Sequence, residues 1–381
     1  MENIFNYQDE IKFVKAVYYS IHPIPLPKPF KDGTGGMGKN APEQGFIELY
    51  DSEGACAHLA VGKSFVKNII PLILNGEKKS YNQWRDTLYW RIRNVGFQSS
   101  QAVEVGQLDL MMLDILAQRA GRPLHRFLGA TKDWAAAYKG GGSLLLEDEE
   151  LVEDIIRYVE EGYKTVKFKV GSDAGTNMER DIRRIEKVRK AVGPEIGIAV
   201  DANQRWDEEE AFRFAKLAEP YQLAWFEEPI HAHDMNGIKR LKEMGIPVPI
   251  AFGESMRTFY AYETYVEKGV DHLQPSIGRM SRMDDILKIR DLARARKIRF
   301  SSGGRVYLNA IFGCLHREDE EIEYHEPISK PVGKYTLFQP EERNGKFYCQ
   351  PDLPGNPQRM DTQRLERDGL LESRKVFYAN K

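Results

Sequence analysis

What the chain lacks narrows the field first. Only three cysteines occur in 381 residues, Cys56, Cys314 and Cys349, odd in number and far apart along the sequence. That pattern excludes a disulfide framework and a cysteine-based zinc site, and it predicts reduced thiols in a cytoplasmic protein. No apolar run approaches the roughly 20 residues of a spanning helix. The opening MENIFNYQDEIKF has no signal-peptide pattern either. Neither charge is in excess: 55 Lys and Arg face 57 Asp and Glu, interspersed, for a net charge of −2. Nucleic acid and anionic membrane are therefore not expected partners. A dinucleotide fingerprint is also missing. Gly140-Gly141-Gly142 follows an apparent strand, AAAYKG, without the required helix and third spaced glycine.

What is present is an ordinary globular composition, 41% hydrophobic and 29% charged. At this length, one large domain plus a smaller one is the default. Residues 10–20 and 44–62 read as strands, the second interrupted by a turn at Ser52-Glu53-Gly54. Between them lies HPIPLPKPFKDGTGGMGKNAPEQG, rich in Pro and Gly. It is either a plain surface loop, the default for such composition, or a mobile lid over a site. Residues 63–128 carry helical spacing, with Gly121 ending one helix and Pro123 opening another.

From about 135 to about 315, strand and helix patterns alternate. Strands are expected at 135–139, 164–170, 196–201, 222–227, 248–253, 271–275 and 298–302. Helices are expected at 147–162, 176–192, 207–218, 234–243, 258–268 and 282–296. Such a run makes a parallel sheet covered by helices, and seven or eight units favour a closed barrel, with the active site at the C-terminal strand ends. Residues 330–381 leave the alternation, and this tail is expected to pack back on the N-terminal region.

Three acidic residues fall at those strand ends: Asp201 in AVDANQ, Glu227 in WFEEP and Glu254 in FGES, with gaps of 26 and 27 residues. Each follows an apolar run that fits a buried parallel strand. Converging carboxylates repel one another unless a hard cation sits between them, and all-oxygen ligation suits Mg²⁺. Upstream, KTVKFKVG puts Lys167 and Lys169 on one strand face, because side chains alternate. An edge strand with a solvated Lys face is the bland alternative. It is weakened because Val166, Phe168 and Val170 would then face the helices of a sheet that otherwise reads as buried.

KFKVG, VDAN, WFEEP and GES, in this order and spacing, resemble the enolase superfamily in its mandelate racemase and muconate lactonizing branch. LDLMMLDILAQRAGRPLHRFLG resembles the family's linking helix pair, and PDLPGNPQ its C-terminal segment. The resemblance implies an α/β fold: an α+β capping domain at 1–130, with the mobile loop near 20–45, on a modified (β/α)7β barrel at 131–329. A C-terminal segment at 330–381 would return to the cap. It implies one Mg²⁺ per subunit on Asp201, Glu227 and Glu254, with Asn203 beside it. Lys169 falls where the family has a base, and Lys167 where a second lysine contacts the substrate carboxylate. Members abstract a proton α to a carboxylate through an enediolate. Elementary chemistry agrees: the developing dianion needs nearby cations, and Lys167⁺ and Mg²⁺ would disfavour the ammonium form of Lys169.

The chain departs from the pattern where many relatives carry a second base. Ser276 in HLQPSIGRMSR stands after the sixth strand, and Gly303 in IRFSSGGRV stands where relatives have a histidine. A serine hydroxyl is a poor base without an activator. Glu323 in EEIEYHEP aligns with a family carboxylate after the last strand, its register blurred by Glu321 and Glu326. Arg305 either replaces charge near Gly303 or, as surface arginines usually do, forms a structural salt bridge. His231 and His233, after WFEEP, are proton donors to a leaving hydroxyl or solvated loop histidines; His316 and His325 carry less weight. These surroundings favour an acid-sugar (aldonate or aldarate) dehydratase, a hydro-lyase, with Lys169 as base. The alternatives are an epimerase, racemase or cycloisomerase on the same scaffold, or a non-catalytic sugar-acid-binding relative. The partner is expected to be a small-molecule carboxylate, and a symmetric homo-oligomer is expected at this size.

Overall fold

The structure, a computed structural model, describes residues 4–40 and 45–380. The last part of the expected 20–45 loop, residues 41–44, thus lies outside the described residues. In the N-terminal region, β1 (Phe13–Ile21), β2 (Pro25–Lys31), β3 (Gly36–Asn40), β4 (Gly45–Asp51) and β5 (Cys56–Val61) precede α1 (Tyr81–Arg91) and α2 (Ser100–Arg119). α1 starts with a reciprocal capping box, in which Ser80 accepts from the Gln83 amide and Gln83 reaches back to Ser80. The Pro- and Gly-rich segment is not plain loop. β2 and β3 pair antiparallel with interrupted register, as prolines that cannot donate to a ladder require.

The expected alternation follows. Its elements are β6 (Trp134–Gly141), α3 (Asp148–Glu160), β7 (Thr165–Lys169), α4 (Met178–Val192), β8 (Gly197–Asp201), α5 (Glu208–Ala218), β9 (Trp225–Glu227), α6 (Met235–Glu243) and β10 (Ile250–Phe252). Then come α7 (Phe259–Glu267), β11 (His272–Leu273), α8 (Asp284–Arg296), β12 (Arg299–Phe300), α9 (Val306–Gly313), β13 (Ile322–His325) and α10 (Glu326–Gly333). Each of β6 to β12 pairs parallel with the next. β13 pairs parallel with β6, and a bridge between Ser302 and Ile322 joins the end of β12 to β13. The line of pairing therefore returns to its start.

Strand side chains sort into two layers. Val166, Phe168, Ile198 and Val200 lie in the large core, where the amphipathic helices cover the ring. Tyr138, Ala199, Trp225 and Ala251 form a separate apolar cluster, the small alanines making room for the indole. Ala199 and Trp225 lie one pleat below Asp201 and Glu227, so this cluster makes the floor beneath what the strand ends carry.

Two features close the chain. β14 (Lys346–Tyr348) pairs antiparallel with β6, and β15 (Leu371–Tyr378) pairs antiparallel with β1 in the sheet β15-β1-β4-β5. A boundary at 329/330 would cut α10, which runs Glu326–Gly333 with Pro327 in its first turn. Cys314 and Cys349, far apart in sequence, meet as buried thiols with sulfurs 3.7 Å apart.

Candidate active site

The parallel register brings the charged residues together. Lys169 pairs with Asp201 and Asp201 with Glu227, across three adjacent strands. One pleat lower, Lys167 pairs with Ala199 and Ala199 with Trp225. Glu254 comes from beyond β10, where Gly253 turns the chain at φ +149°. A Cβ at Gly253 would come within 2.7 Å of the Gln274 backbone, so only glycine permits that turn. Three further residues around the strand ends hold left-handed backbone: Asn203, Gln204 and Glu228, at φ +48°, +65° and +39°. Such strain gathers at working sites. Glu228 is held by hydrogen bonds donated from Ser255 Oγ and Gln204 Nε2, and shapes the loop.

Lys169 Nζ lies 2.5 Å from Asp201. Lys167 Nζ lies 2.6 Å from Glu227 and 2.7 Å from Glu323. All of these groups are nearly or wholly shut off from bulk water; Lys167, Asp201 and Glu227 are at most 3% exposed. Burial works to lower both amines, but Asp201 beside Lys169 and Glu227 beside Lys167 outweigh it and hold both above the usual lysine range. Burial would raise Asp201, yet the two lysines pull it below the usual carboxylate range. Glu227 and Glu254 end up raised, by burial and then by the repulsion of their acidic neighbours. Two ammonium groups thus face Asp201, Glu227, Glu254 and Glu323, and negative charge is in surplus.

Whether these residues suit a cation can be asked of the donors alone. The set is all oxygen, buried and mutually repelling, and Asn203 Oδ1 beside it is buried without a hydrogen-bond partner among the described residues. That chemistry fits a hard divalent ion. Among the described residues no three His, Cys, Asp or Glu side chains are drawn into one coordinating cluster; Asp201 and Glu227 are turned onto the lysines instead.

The strand ends open into a cavity of about 470 Å³. Lys169, Asn203, Glu254, Ser276 and Glu323 line it, and so does Arg305. Asn203 donates its backbone amide to Asp201 Oδ1 at 2.8 Å. Ser276 bridges to Gly303 across adjacent strand ends. Arg305 corrects the salt-bridge expectation: its Nη1 donates to the Ala60 carbonyl, it has no carboxylate partner among the described residues, and burial holds it down to about 10. His231 and His233 also fall elsewhere. Both are exposed and absent from the cavity wall, because the buried residue of that turn is Ala232, pinned by Gln204 and Tyr265.

Of two further cavity residues, Phe30 was not foreseen and His325 was given too little weight. Phe30 enters from β2, and His325 sits at the end of β13. The alternation that paired Lys167 with Lys169 also pairs Glu323 with His325, so the signal for the histidine was present. Apolar residues, Phe30, Phe46, Leu59 and Val306, line the same space as the polar ones.

A parallel α/β ring with lysines and carboxylates at its strand ends defines a class, and comparison with known proteins gives the same class. The family model described as enolase C-terminal domain-like matches residues 150–363. The L-talarate/galactarate dehydratase of Salmonella typhimurium is 31% identical over 304 residues, 78% of this chain and 72% of that protein. The 3,6-anhydro-alpha-L-galactonate cycloisomerase of Streptomyces coelicolor is 25% identical over 93% of this chain and 99% of its own. Among solved structures, the Salmonella dehydratase with Mg and L-lyxarohydroxamate superposes with a TM-score of 0.80 at 26% identity, covering 98% of this chain and 95% of that one. The chain belongs to the enolase superfamily, in its mandelate racemase and muconate lactonizing branch. Its relatives are dehydratases, cycloisomerases and epimerases.

Proposed function

We propose that this protein is an acid-sugar dehydratase that removes the proton α to a carboxylate, with Lys169 as base. The observation that carries the reading is the line Lys169–Asp201–Glu227 across three strand ends, opening into a cavity of about 470 Å³. One Mg²⁺ per subunit would be held by Asp201, Glu227 and Glu254. Bound there, it supplies the positive charge that stabilises the enediolate. Support comes from the surplus of buried carboxylate, and from relatives crystallised with magnesium.

The chain's own residues divide the remaining work. Lys167, tied to Glu227 and Glu323, holds positive charge below the substrate carboxylate. Lys169, one pleat nearer the cavity, takes the α-proton. For that its amine must be neutral, and the Asp201 contact that holds it as ammonium would be relieved if Asp201 turned to a cation. Asn203, Ser276, Glu323 and Arg305 surround the substrate, and the apolar residues opposite exclude water from it. In this reading the closed pairing is the modified (β/α)7β barrel of 131–329 and the antiparallel sheet is the capping domain of 1–130, joined by the returning 330–381 segment. The substrate is a small carboxylate, the protein works in the cytoplasm, and it assembles with copies of itself. No described helix is long and apolar enough to cross a membrane.

The test is incubation with a library of aldonates and aldarates in D₂O, read by NMR. Formation of a 2-keto-3-deoxy acid supports dehydration. Deuterium at Cα without a keto product would sink the dehydratase and favour epimerisation. That second reading, with cycloisomerisation, has its own support in the cycloisomerase that aligns over nearly the whole chain.

A further inference from the structure

Dehydration needs two proton movements, one from Cα and one to the departing β-hydroxyl. Only the first has a residue so far. Gly303, after β12, offers no side chain, and the space beside it is taken. A Cβ there would lie 3.0 Å from Glu323 Oε2. Ser276 fares no better, lying 2.8 Å from where a Cβ on Gly304 would be, with no activating base bonded to it among the described residues.

The neighbouring strand carries an imidazole. β13 runs beside the end of β12 through the Ser302–Ile322 bridge and ends at His325. Glu323 and His325 share a face, so His325 stands one pleat nearer the open end than Glu323. Lys169 stands in the same relation to Lys167. His325 pairs in register with Gly140, which has no side chain to fill the space between. The ring lines the same cavity as Lys169, Glu254 and Ser276. Its Nδ1 is buried and has no hydrogen-bond partner among the described residues. Phe30 packs against it edge-on, with ring centres 4.8 Å apart, so the imidazole is held from the side of the N-terminal region.

We propose that His325 is the second proton-transfer residue of this site, donating to the leaving β-hydroxyl. This rests on the dehydratase reading. In the step, the Cα–H bond breaks and its proton goes to Lys169 Nζ. The electron pair forms the Cα–Cβ double bond, and the Cβ–O bond breaks. A proton from His325 turns the departing oxygen into water, and the enol product tautomerises to the 2-keto acid. Solvent then reprotonates the imidazole. The charged groups facing the ring are Lys169 and Lys167 of β7, Glu323 of its own strand and Asp201 of β8. Burial and then Lys169 hold the imidazole down to about 4 in the free protein. A bound substrate carboxylate adds negative charge that opposes the lysines and favours the protonated form.

The experiment is His325→Gln in the full chain, assayed with an acid that the wild type dehydrates and with its β-fluoro analogue. Fluoride leaves without needing a proton. Dehydration by the variant should fall about 10²–10⁴-fold, while α-deuterium exchange, fluoride release and the Mg²⁺-induced rise in Tm stay within about twofold of wild type. Undiminished dehydration overturns the proposal. Equal loss of dehydration, exchange and fluoride release also overturns it, because His325 would then only position other groups. Failure of the dehydratase reading looks different: the wild type itself gives no keto acid, and the inference falls with it.

Discussion

Two buried lysines of one strand neighbourhood meet carboxylates in opposite ways. Lys139 on β6 points outward from the ring, since its neighbour Tyr138 belongs to the inner floor. It is 1% exposed and paired with Glu161, Glu326 and Glu342, and the rings of Tyr158, Tyr163 and Tyr324 surround its ammonium at 4.8–4.9 Å. Lys167 on β7 points inward and meets Glu227 and Glu323. The partners differ. The side chains of Glu161 and Glu342 are 34% and 32% exposed, so water solvates their remaining charge. Arg157 and Lys139 overcome the burial of Glu326 and hold it below the usual carboxylate range. At the strand ends Glu227 and Glu254 are held above that range, since neither water nor lysine compensates them fully. A buried lysine among acids is therefore no signature by itself. What separates a structural network from a reactive one is uncompensated charge facing a cavity.

Substitutions can break this contrast. The largest effect is expected for Lys169→Ala, which should lower α-deuterium exchange by about 10²–10⁴-fold with the fold intact. Survival of exchange in that variant would end the assignment of the base. Lys139→Met should instead cost about 3 kcal/mol of stability, measured by urea unfolding, and leave exchange per folded molecule unchanged. If both variants lose exchange alike, the two lysines are not different in kind.

A smaller effect concerns the cation. Mg²⁺ at about 100 times its dissociation constant should stabilise the wild type by about 2.7 kcal/mol. That rise in Tm should vanish in Asp201→Asn and Glu254→Gln and persist in Glu161→Gln. Retention in the first two would remove them from the ligand set.

A last effect tests burial away from the site. His58 and His316 are held down to about 3 by burial, and so are neutral in the folded state. Unfolded histidines take up protons below about 6.5. The unfolded state then binds more protons, so stability is full above that pH and falls as pH drops, by about 1.4 kcal/mol per unit for each. The histidine share is read as the difference from His58→Gln and His316→Gln, whose loss of stability between pH 7 and 5 should be smaller than that of the wild type; an unchanged loss would contradict it.

Much of the frame was legible because it repeats. Strand runs such as IGIAV and QLAWF are apolar on both faces, and only a parallel sheet under helices buries both. The spacing of Asp201, Glu227 and Glu254 then followed from one unit length. His231 was weighed above His325 because it follows the WFEEP motif directly. Distance along the chain said nothing of which way the turn at Ala232 faces. The paired strands within the Pro-rich 20–45 segment were hidden because their register is broken and their local composition reads as loop.

The sequence by itself determined the alternation, the family and the order of charged residues along the strands, because each is a local pattern or a fixed spacing. Tertiary structure alone decided which charges share a space. It placed Glu323 beside Gly303, His325 and Phe30 on the same cavity, and Lys139 outside it. Those outcomes depend on the return of β13 to β6 and on one pleat of register, and neither is written in any single segment.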